Sequence, residues 1–559
     1  MISHSAFSIL IGGEAGQGLV TVGEILAKSL VRSGYSIVVT QSYQSRIRGG
    51  HNTFSIRVGT EEILAPQESI DFLVALNEET VFLHREDLLP QGFIVVDETS
   101  ACDGDACLKV PFRQLAAERQ ANIVALGVTA ALLGLDKAIL CQTMDDYFGR
   151  KHADLASENR QAITAACEWI AGKSLRFGKL PPITSPRRCL MMNGNDAVAL
   201  GALSAGVKFY SFYPMTPSTS IGLNLTARAT RMGLIAEQAE DEISAINMAI
   251  GASFAGAPSM VATSGGGFAL MAEGVSLAGM TETPLVIVVA QRPAPATGLP
   301  TRTEQADLLF VLHAGHGEFP RAIFAPGTVE ECFHLTRKAF ELAERYQSPI
   351  FLLTDQFLAD SYRAVLPFNL EHISSIQPGR EKVPVSLPYK RYAITESGIS
   401  PRLLPGMTEH IVVAGSDEHT EDGHLTEDLS VRKQMVEKRL GKYRGMYGEV
   451  MPPEILGDDK PDLLLISWGS SRGAVLEAAS LLRKEGKRIK TLAFSQVWPL
   501  VPEQFLPAFQ EARDVVCVEG NATGQMAGLI RRETSFHIEK RVLRYDGLPH
   551  TPESILREL

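Results

Sequence analysis

FSILIGGEAGQGLVTVGEILAKSLVRSGYSIVVTQS (residues 7–42) reads as strand, glycine-rich turn, helix, strand. An apolar run of five residues breaks into four closely spaced glycines, Gly12, Gly13, Gly16 and Gly18. A helix-like segment then leads to a second β-branched run. Glycines in this context permit a tight turn and close backbone approach, and the following helix start offers unpaired N–H groups to a phosphate or carboxylate. The spacing is not that of a dinucleotide fingerprint, and Glu14 places a negative charge where a phosphate would sit. A tight strand–helix turn explains the glycines equally well.

The same alternation continues outward. FSIRVG (54–59), FLVAL (72–76), GFIVVDE (92–98) and NIVALGVTAALLGL (122–135) complete a first block ending near residue 178. Short apolar runs alternating with helices predict a parallel α/β sheet. The linker, residues 179–192, is taken from GKLPPITSPRRC (178–189) and the residues just after it; its prolines stop a helix. A second α/β block spans 193–365, with strands expected at KFYSFYP (208–214), SMVATS (259–264), PLVIVVAQR (284–292) and PIFLLTD (349–355). Residues 366–455 show no clear periodicity and read as an irregular connecting arm, and 456–559 form a third α/β block. The fold class is therefore α/β in three domains.

The chain of 559 residues carries 53 Lys and Arg against 64 Asp and Glu, a formal net charge of −11. That balance argues against a nucleic-acid binder. No apolar run is long enough to span a membrane, and the N-terminal run ends in a glycine turn without a basic flank, so a cytoplasmic location is expected. Seven cysteines are scattered with no CxxC pair. They are expected to be free thiols, and an iron–sulfur cluster on this chain is not expected.

Four stretches carry more chemistry than packing requires. QSYQSRIRGGHN (41–52) gathers Arg46, Arg48, Gly49, Gly50 and His51 in a basic loop suited to an anion or to solvent. YPMTPS (213–218) presents Thr216 from a proline-stiffened strand end. EQAEDEISAINMAIGASFAGA (237–257) crowds acids at the start of a small-residue helix, where the helix dipole favours them. QRPAPATGLPTRTEQADL (291–308) is a long loop carrying Arg292 and Arg302, either able to grip a carboxylate bidentately.

In order and spacing these motifs resemble the 2-oxoacid:ferredoxin oxidoreductases, over nearly the whole chain. GGEAGQG and RIRGGHN resemble the gamma-like domain of that family. YPMTPS, AEDEISA, TSGGGFALMAEG and GLPTRTEQADL resemble the thiamine-pyrimidine-type domain. EGNATGQMAGLIRR (519–532) and RYDGLPHTPE (544–553) resemble the transketolase C-terminal-like domain. The chain thus looks like an alpha subunit of the 2-oxoglutarate type with a gamma-like domain fused at its N-terminus.

The resemblance implies a thiamine diphosphate enzyme that decarboxylates a 2-oxoacid oxidatively, passes the acyl group to coenzyme A and its electrons to ferredoxin. Glu242 aligns with the family's activating glutamate, and Tyr213 and Pro214 lie beside it as cofactor contacts. Thr216 and Arg292 align with residues holding the substrate carboxylate, with Arg302 a secondary candidate. Arg46 or Arg48 is the candidate for a distal carboxylate. Gly12, Gly13, Gly16 and Gly18 are candidates for coenzyme A contact. The metal-binding GDG motif of thiamine enzymes is missing; CDGDAC and GDDKPD are its nearest strings. The diphosphate and Mg²⁺ half of the site, with the iron–sulfur cluster, is therefore expected on a beta subunit, in a dimer of heterodimers. Pyruvate, branched-chain 2-oxoacids and indolepyruvate are alternative substrates, and a non-catalytic nucleotide-binding subunit is the alternative outside enzymes. His410, His419 and His424 in the arm read as solvated and not as metal ligands.

Overall fold

The computed structural model describes residues 6–43, 50–148, 153–173, 179–371, 373, 375–376, 387–406 and 409–559. Arg46, Arg48 and Gly49 of the basic loop lie outside them. The chain divides into two compact units, one of residues 1–193, 360–368 and 551–557, the other of 194–359, 369–550 and 558–559. Among the described residues no helix is long and apolar enough to cross a membrane.

The first unit is built on an eight-stranded sheet with Ala6–Glu14 near its centre. Ala6–Glu14, Ile70–Ala75, Leu88–Asp97 and Cys107–Val110 run parallel, as the alternation predicts. The other half is antiparallel: His51–Gly59 pairs with both Ala6–Glu14 and Ser36–Ser42. The connection between Ser42 and His51 is too short for a helical crossover, so those strands must reverse direction. The apolar run at 122–135 is not a strand but a helix, Ala121–Leu133, buried on nearly all sides. An all-round apolar helix has no period to betray it.

The second unit carries two sheets. The strands Ala322–Phe324, Pro349–Asp355, Leu285–Gln291, Ser259–Thr263, Phe209–Phe212 and Ile235–Gln238 are adjacent in that order and parallel. Gln496–Trp498, from the third sequence block, adds antiparallel to the Ala322–Phe324 edge. The five-stranded sheet has Leu463–Trp468 at its centre, flanked by Ile489–Phe494 and Asp514–Glu519. One apolar cluster runs through both sheets, joining Val289, Ile323 and Phe351 to Trp468, Leu492 and Phe505.

The arm is more ordered than its sequence suggests. It contains the helices Leu429–Gly441 and Tyr443–Gly448. Asp428 caps the first, accepting from the N–H of Ser430 at 2.7 Å. Apolar periodicity is missing because the buried positions of this helix are Met435, Lys438 and Arg439. Lys438 and Lys442 each place Nζ 2.6 Å from a different carboxylate oxygen of Glu282. Arg391 donates to the Glu282 carbonyl at 2.9 Å and to Gln347 Oε1 at 2.9 Å. Burial alone would raise the Glu282 carboxyl, but Lys442, Lys438 and Arg391 hold it well below the usual carboxylate range.

Two expectations are corrected here. Cys102 and Cys107 are disulfide-bonded, their Cα atoms 6.3 Å apart across a tight turn; spacing alone did not reveal that turn. His419 is not solvated but buried, its ring centroid 4.0 Å from that of Tyr392. Among the described residues no group of three or more His, Cys, Asp or Glu is placed to hold a metal ion.

Glu282→Gln leaves two buried cations without their counter-charge, which costs about 3–5 kcal/mol. The expected outcome is a lower unfolding midpoint and new protease cleavage between residues 387 and 442, read by circular dichroism and limited digestion.

Candidate active site

The site forms where the parallel strands of the seven-stranded sheet end. Strand Phe209–Phe212 delivers the YPMTPS loop, strand Ser259–Thr263 delivers a run of three glycines, and strand Leu285–Gln291 delivers the 292–307 loop. Ligands collect at the C-terminal ends of strands in such sheets, because loops and helix starts converge there.

Glu242 opens the helix Glu242–Phe254, with Asp241 as its cap accepting from the Ser244 N–H at 2.7 Å. The Glu242 side chain is buried, and its Oε1 has no hydrogen-bond partner among the described residues. Gly267 makes room for it. A Cβ on Gly267 would lie 2.5 Å from Glu242 Oε1, so any larger residue displaces the carboxyl. A buried carboxylate oxygen without a donor costs about 1–3 kcal/mol or more. A donor placed at Oε1, such as the protonated ring nitrogen of an aminopyrimidine, would remove that cost.

The structure brings Thr216 and Arg292 together. Arg292 Nη1 donates to the Thr216 carbonyl at 2.7 Å. This engages one guanidinium N–H of Arg292. Asn195 fixes the same loop from behind, donating to the Pro217 carbonyl at 2.8 Å. Tyr213 is exposed and Pro214 half-buried at the start of the loop. Arg302 does not join this pair. Its aliphatic stem packs on Gly547, where a Cβ would sit 3.1 Å from Arg302 Cβ.

Two further polar groups near these residues were not singled out by sequence. Ser264, which precedes the helix Gly265–Leu270, is buried with Oγ unpartnered among the described residues. Asp307 is buried with Oδ2 likewise unpartnered, and Gly265 is small enough to admit its carboxylate. Burial and then Glu304 push the Asp307 carboxyl up to about 6, with Arg292 opposing. Burial lowers the Arg292 guanidinium, with Asp307 opposing. Asp307 lies within the family-like string GLPTRTEQADL, but it is its place beside Gly265 that marks its carboxylate.

The 292–307 loop is held by the third sequence block. Gln305 N–H donates to the Gly520 carbonyl at 2.6 Å, and the Gly520 N–H returns a bond to Gln305 Oε1 at 2.9 Å. Gln305 Nε2 donates to the Trp468 carbonyl at 3.0 Å. Asn521 Nδ2 reaches the Gln305 carbonyl at 3.2 Å.

The four N-terminal glycines divide. Gly12 and Gly13 lie inside the strand Ala6–Glu14, where Cβ atoms would strike Thr80 and Gln17. Gly16 (φ 97°) and Gly18 (φ 73°) form the left-handed turn. That turn edges a cleft of about 510 Å³ that Arg113, Arg119 and Asn122 also line.

Comparison with known proteins now bears on this geometry. Family profiles match residues 8–169 (pyruvate ferredoxin/flavodoxin oxidoreductase), 200–438 (pyruvate flavodoxin/ferredoxin oxidoreductase, thiamine diphosphate-binding) and 454–558 (transketolase, C-terminal domain). The alpha subunit of a 2-oxoacid:ferredoxin oxidoreductase from a Sulfolobus species is 32% identical over 618 residues, covering 97% of this chain and 94% of its own. The chain belongs to the 2-oxoacid:ferredoxin oxidoreductase family, as an alpha subunit. A 2-oxoglutarate synthase subunit KorA from Methanothermobacter marburgensis is 33% identical over 373 residues, 66% of this chain and 97% of that one. The 2-oxoglutarate:ferredoxin oxidoreductase of Magnetococcus marinus, solved with 2-oxoglutarate, coenzyme A and succinyl-CoA bound, matches with TM-score 0.92 and 31% identity over 99% of both chains. This alpha subunit therefore combines a gamma-like domain, a thiamine diphosphate-binding domain and a transketolase C-terminal domain in one chain of a multi-subunit oxidoreductase with ferredoxin as acceptor.

His550 closes the loop that packs against Arg302, its Nε2–H donating to the Glu519 carbonyl at 3.0 Å. Burial lowers its pKa to about 4, so the folded alpha subunit keeps it neutral where an unfolded chain would protonate it. Between pH 6.5 and 4 the unfolded state binds the extra proton, so stability falls as pH falls, by up to about 3 kcal/mol. His550→Gln is expected to flatten the pH dependence of the unfolding midpoint across that window.

Proposed function

We propose that this alpha subunit supplies the aminopyrimidine-activating and substrate-carboxylate-binding half of a thiamine diphosphate site that oxidises 2-oxoglutarate to succinyl-CoA. The observation that carries the reading is the buried, unpartnered Oε1 of Glu242 against Gly267. When bound, thiamine diphosphate supplies the nucleophilic carbon and the electron sink for decarboxylation. Glu242 would hold the aminopyrimidine by sharing a proton between Oε1 and its ring nitrogen, which would withdraw electron density from the ring and favour the form in which its exocyclic nitrogen serves as a base. Tyr213 and Pro214, at the start of the same loop as Thr216, would be the residues that contact the pyrimidine. Arg292 binds the substrate carboxylate through the N–H groups that Thr216 leaves over, and the Thr216 hydroxyl donates to the same carboxylate. Arg302 has a lesser role at the loop's edge.

A beta subunit supplies the Mg²⁺–diphosphate half and the iron–sulfur cluster, within a cytoplasmic dimer of heterodimers. Support comes from the thiol inventory: Cys141, Cys167 and Cys189 are partly buried and dispersed along the first unit, and burial raises the Cys332 and Cys517 thiols well above their ordinary value. The cleft beside Gly16 and Gly18, with its two arginines, is the candidate for coenzyme A contact. 2-Oxoglutarate is preferred among 2-oxoacids because the Magnetococcus marinus enzyme, which holds it, matches this chain along its whole length.

Purification from the native host at low oxygen, followed by 2-oxoglutarate-dependent viologen reduction with coenzyme A and thiamine diphosphate, tests this. A smaller iron–sulfur subunit is expected to accompany the chain. Glu242→Gln is expected to assemble normally and lose about 10²–10⁴ in kcat. Wild-type turnover in that variant would overturn the assignment of Glu242. Turnover with pyruvate or indolepyruvate alone would change the substrate and leave the role of Glu242 standing.

A further inference from the structure

Gly267 sits against two oxygens, not one. The point where a Cβ would stand on this glycine lies 2.5 Å from Glu242 Oε1 and 2.2 Å from Thr263 Oγ1. The two oxygens can be no farther apart than the sum of those distances, so the hydroxyl and the carboxyl are neighbours over one glycine. Thr263 ends the strand Ser259–Thr263, in register with Val289 of the strand Leu285–Gln291. The strand is buried at every position, and Thr263 is 0% exposed. Parallel strands buried on both faces favour Val and Ile, so a valine would serve the sheet as well as threonine does. The hydroxyl is what this residue adds.

That hydroxyl is poorly used elsewhere. Oγ1 reaches the Ser264 carbonyl at 3.5 Å and Met215 Sδ at 3.9 Å. The first is at the long limit of a hydrogen bond, and the second goes to a thioether, a weak acceptor. Met215 belongs to YPMTPS, so the same oxygen touches the loop that presents Thr216. Glu242 Oε1 accepts from no described residue. A donor with weak acceptors and an acceptor open to a donor thus share Gly267.

We propose that Thr263 is a positioning residue for Glu242, its hydroxyl donating to Oε1 when the aminopyrimidine engages the carboxyl. This rests on the reading of Glu242 as the aminopyrimidine's partner. A carboxylate oxygen has two lone-pair sites, so Oε1 can accept from the hydroxyl and face the ring nitrogen together. The terminal torsion of a glutamate is broad and roughly twofold, so packing alone does not fix the carboxyl plane. The χ1 of a β-branched threonine is stiff, so a bond from its hydroxyl does. Gly267 makes the room, and Thr263 selects the orientation within it.

The test is ligand binding by the assembled enzyme freed of cofactor, measured by calorimetry for wild type, Thr263→Val, Thr263→Ala, Thr263→Ser and Glu242→Gln. The ligands are thiamine diphosphate and an analogue with carbon in place of the ring nitrogen that faces Glu242. Thr263→Val is expected to raise the Kd for thiamine diphosphate about three- to tenfold and to leave that for the analogue within about twofold of wild type. Thr263→Ala, which also lacks the hydroxyl, is expected to show the same selective loss, and Thr263→Ser to restore wild-type binding. Turnover is expected to fall in Thr263→Val and to return in Thr263→Ser. A Thr263→Val Kd equal to wild type overturns the proposal. So does one raised equally for both ligands, which is what a packing defect produces, or a loss that Thr263→Ser fails to restore. If Glu242→Gln binds thiamine diphosphate and turns over as wild type does, the reading of Glu242 itself fails. If Glu242→Gln loses turnover while Thr263→Val binds both ligands normally, only the role of Thr263 falls.

Discussion

The site depends on a loop that cannot hold itself. Residues 292–307 form neither helix nor strand, so their buried peptide groups must find partners elsewhere. Gln305 is the anchor, exchanging two hydrogen bonds with Gly520 and donating a third to Trp468. Thr303 adds a bond to Gly547, and Gln525 bridges the Ala306 carbonyl and the Leu309 N–H. Every one of these partners comes from the transketolase C-terminal domain. That domain contributes no candidate catalytic side chain, yet it sets where Arg292 and Asp307 stand. Its strand Gln496–Trp498 also completes the edge of the thiamine-binding sheet. The two domains are thus one folding unit with a shared core, and the site is a product of both.

Much of the fold was legible in the sequence. The strands at 208–214, 259–264, 284–292 and 349–355 were marked by aromatic or apolar runs bounded by Pro, Gly or Asp, and all four form. Antiparallel pairing in the first sheet was not legible, because an apolar run specifies a buried strand but not its direction. The helix Leu429–Gly441 was missed because the usual signal was replaced by charge: its buried positions include Lys438, which meets Glu282, and Arg439, which meets Glu418, instead of a hydrocarbon core. Glu282 itself sits at φ 49°, a conformation that favours glycine, where a carboxylate can face Lys438 and Lys442.

For the site, sequence brought Thr216 and Arg292 forward as separate motifs 76 residues apart, and the hydrogen bond between them makes them one feature. Gly12 and Gly13 carried the opposite lesson. Their place in a glycine-rich string suggested ligand approach, whereas they are small because Thr80 and Gln17 crowd the strand. Asp307 lay in the family-like string GLPTRTEQADL without being singled out, because a buried carboxylate in a loop is identified by what surrounds it.

Two carboxylates show how partner counts separate scaffolding from chemistry. Glu242 and Glu519 are both buried, and both lie by the start of a helix in a small-residue context. Glu519 is saturated: Oε2 accepts from Trp468 Nε1, Asn521 Nδ2 and the Met526 N–H, while Oε1 accepts from the Ala527 N–H and the Cys517 thiol. Such a group is finished within the chain and rigidifies the helix it caps. Glu242 leaves Oε1 bare, and Ser264 and Asp307 leave theirs bare nearby. Each bare group costs about 1–3 kcal/mol unless a ligand or solvent supplies its partner. These three groups lie where strand ends, a helix start and the anchored loop meet, and they are of the kind that a hydrogen-bonding ligand satisfies.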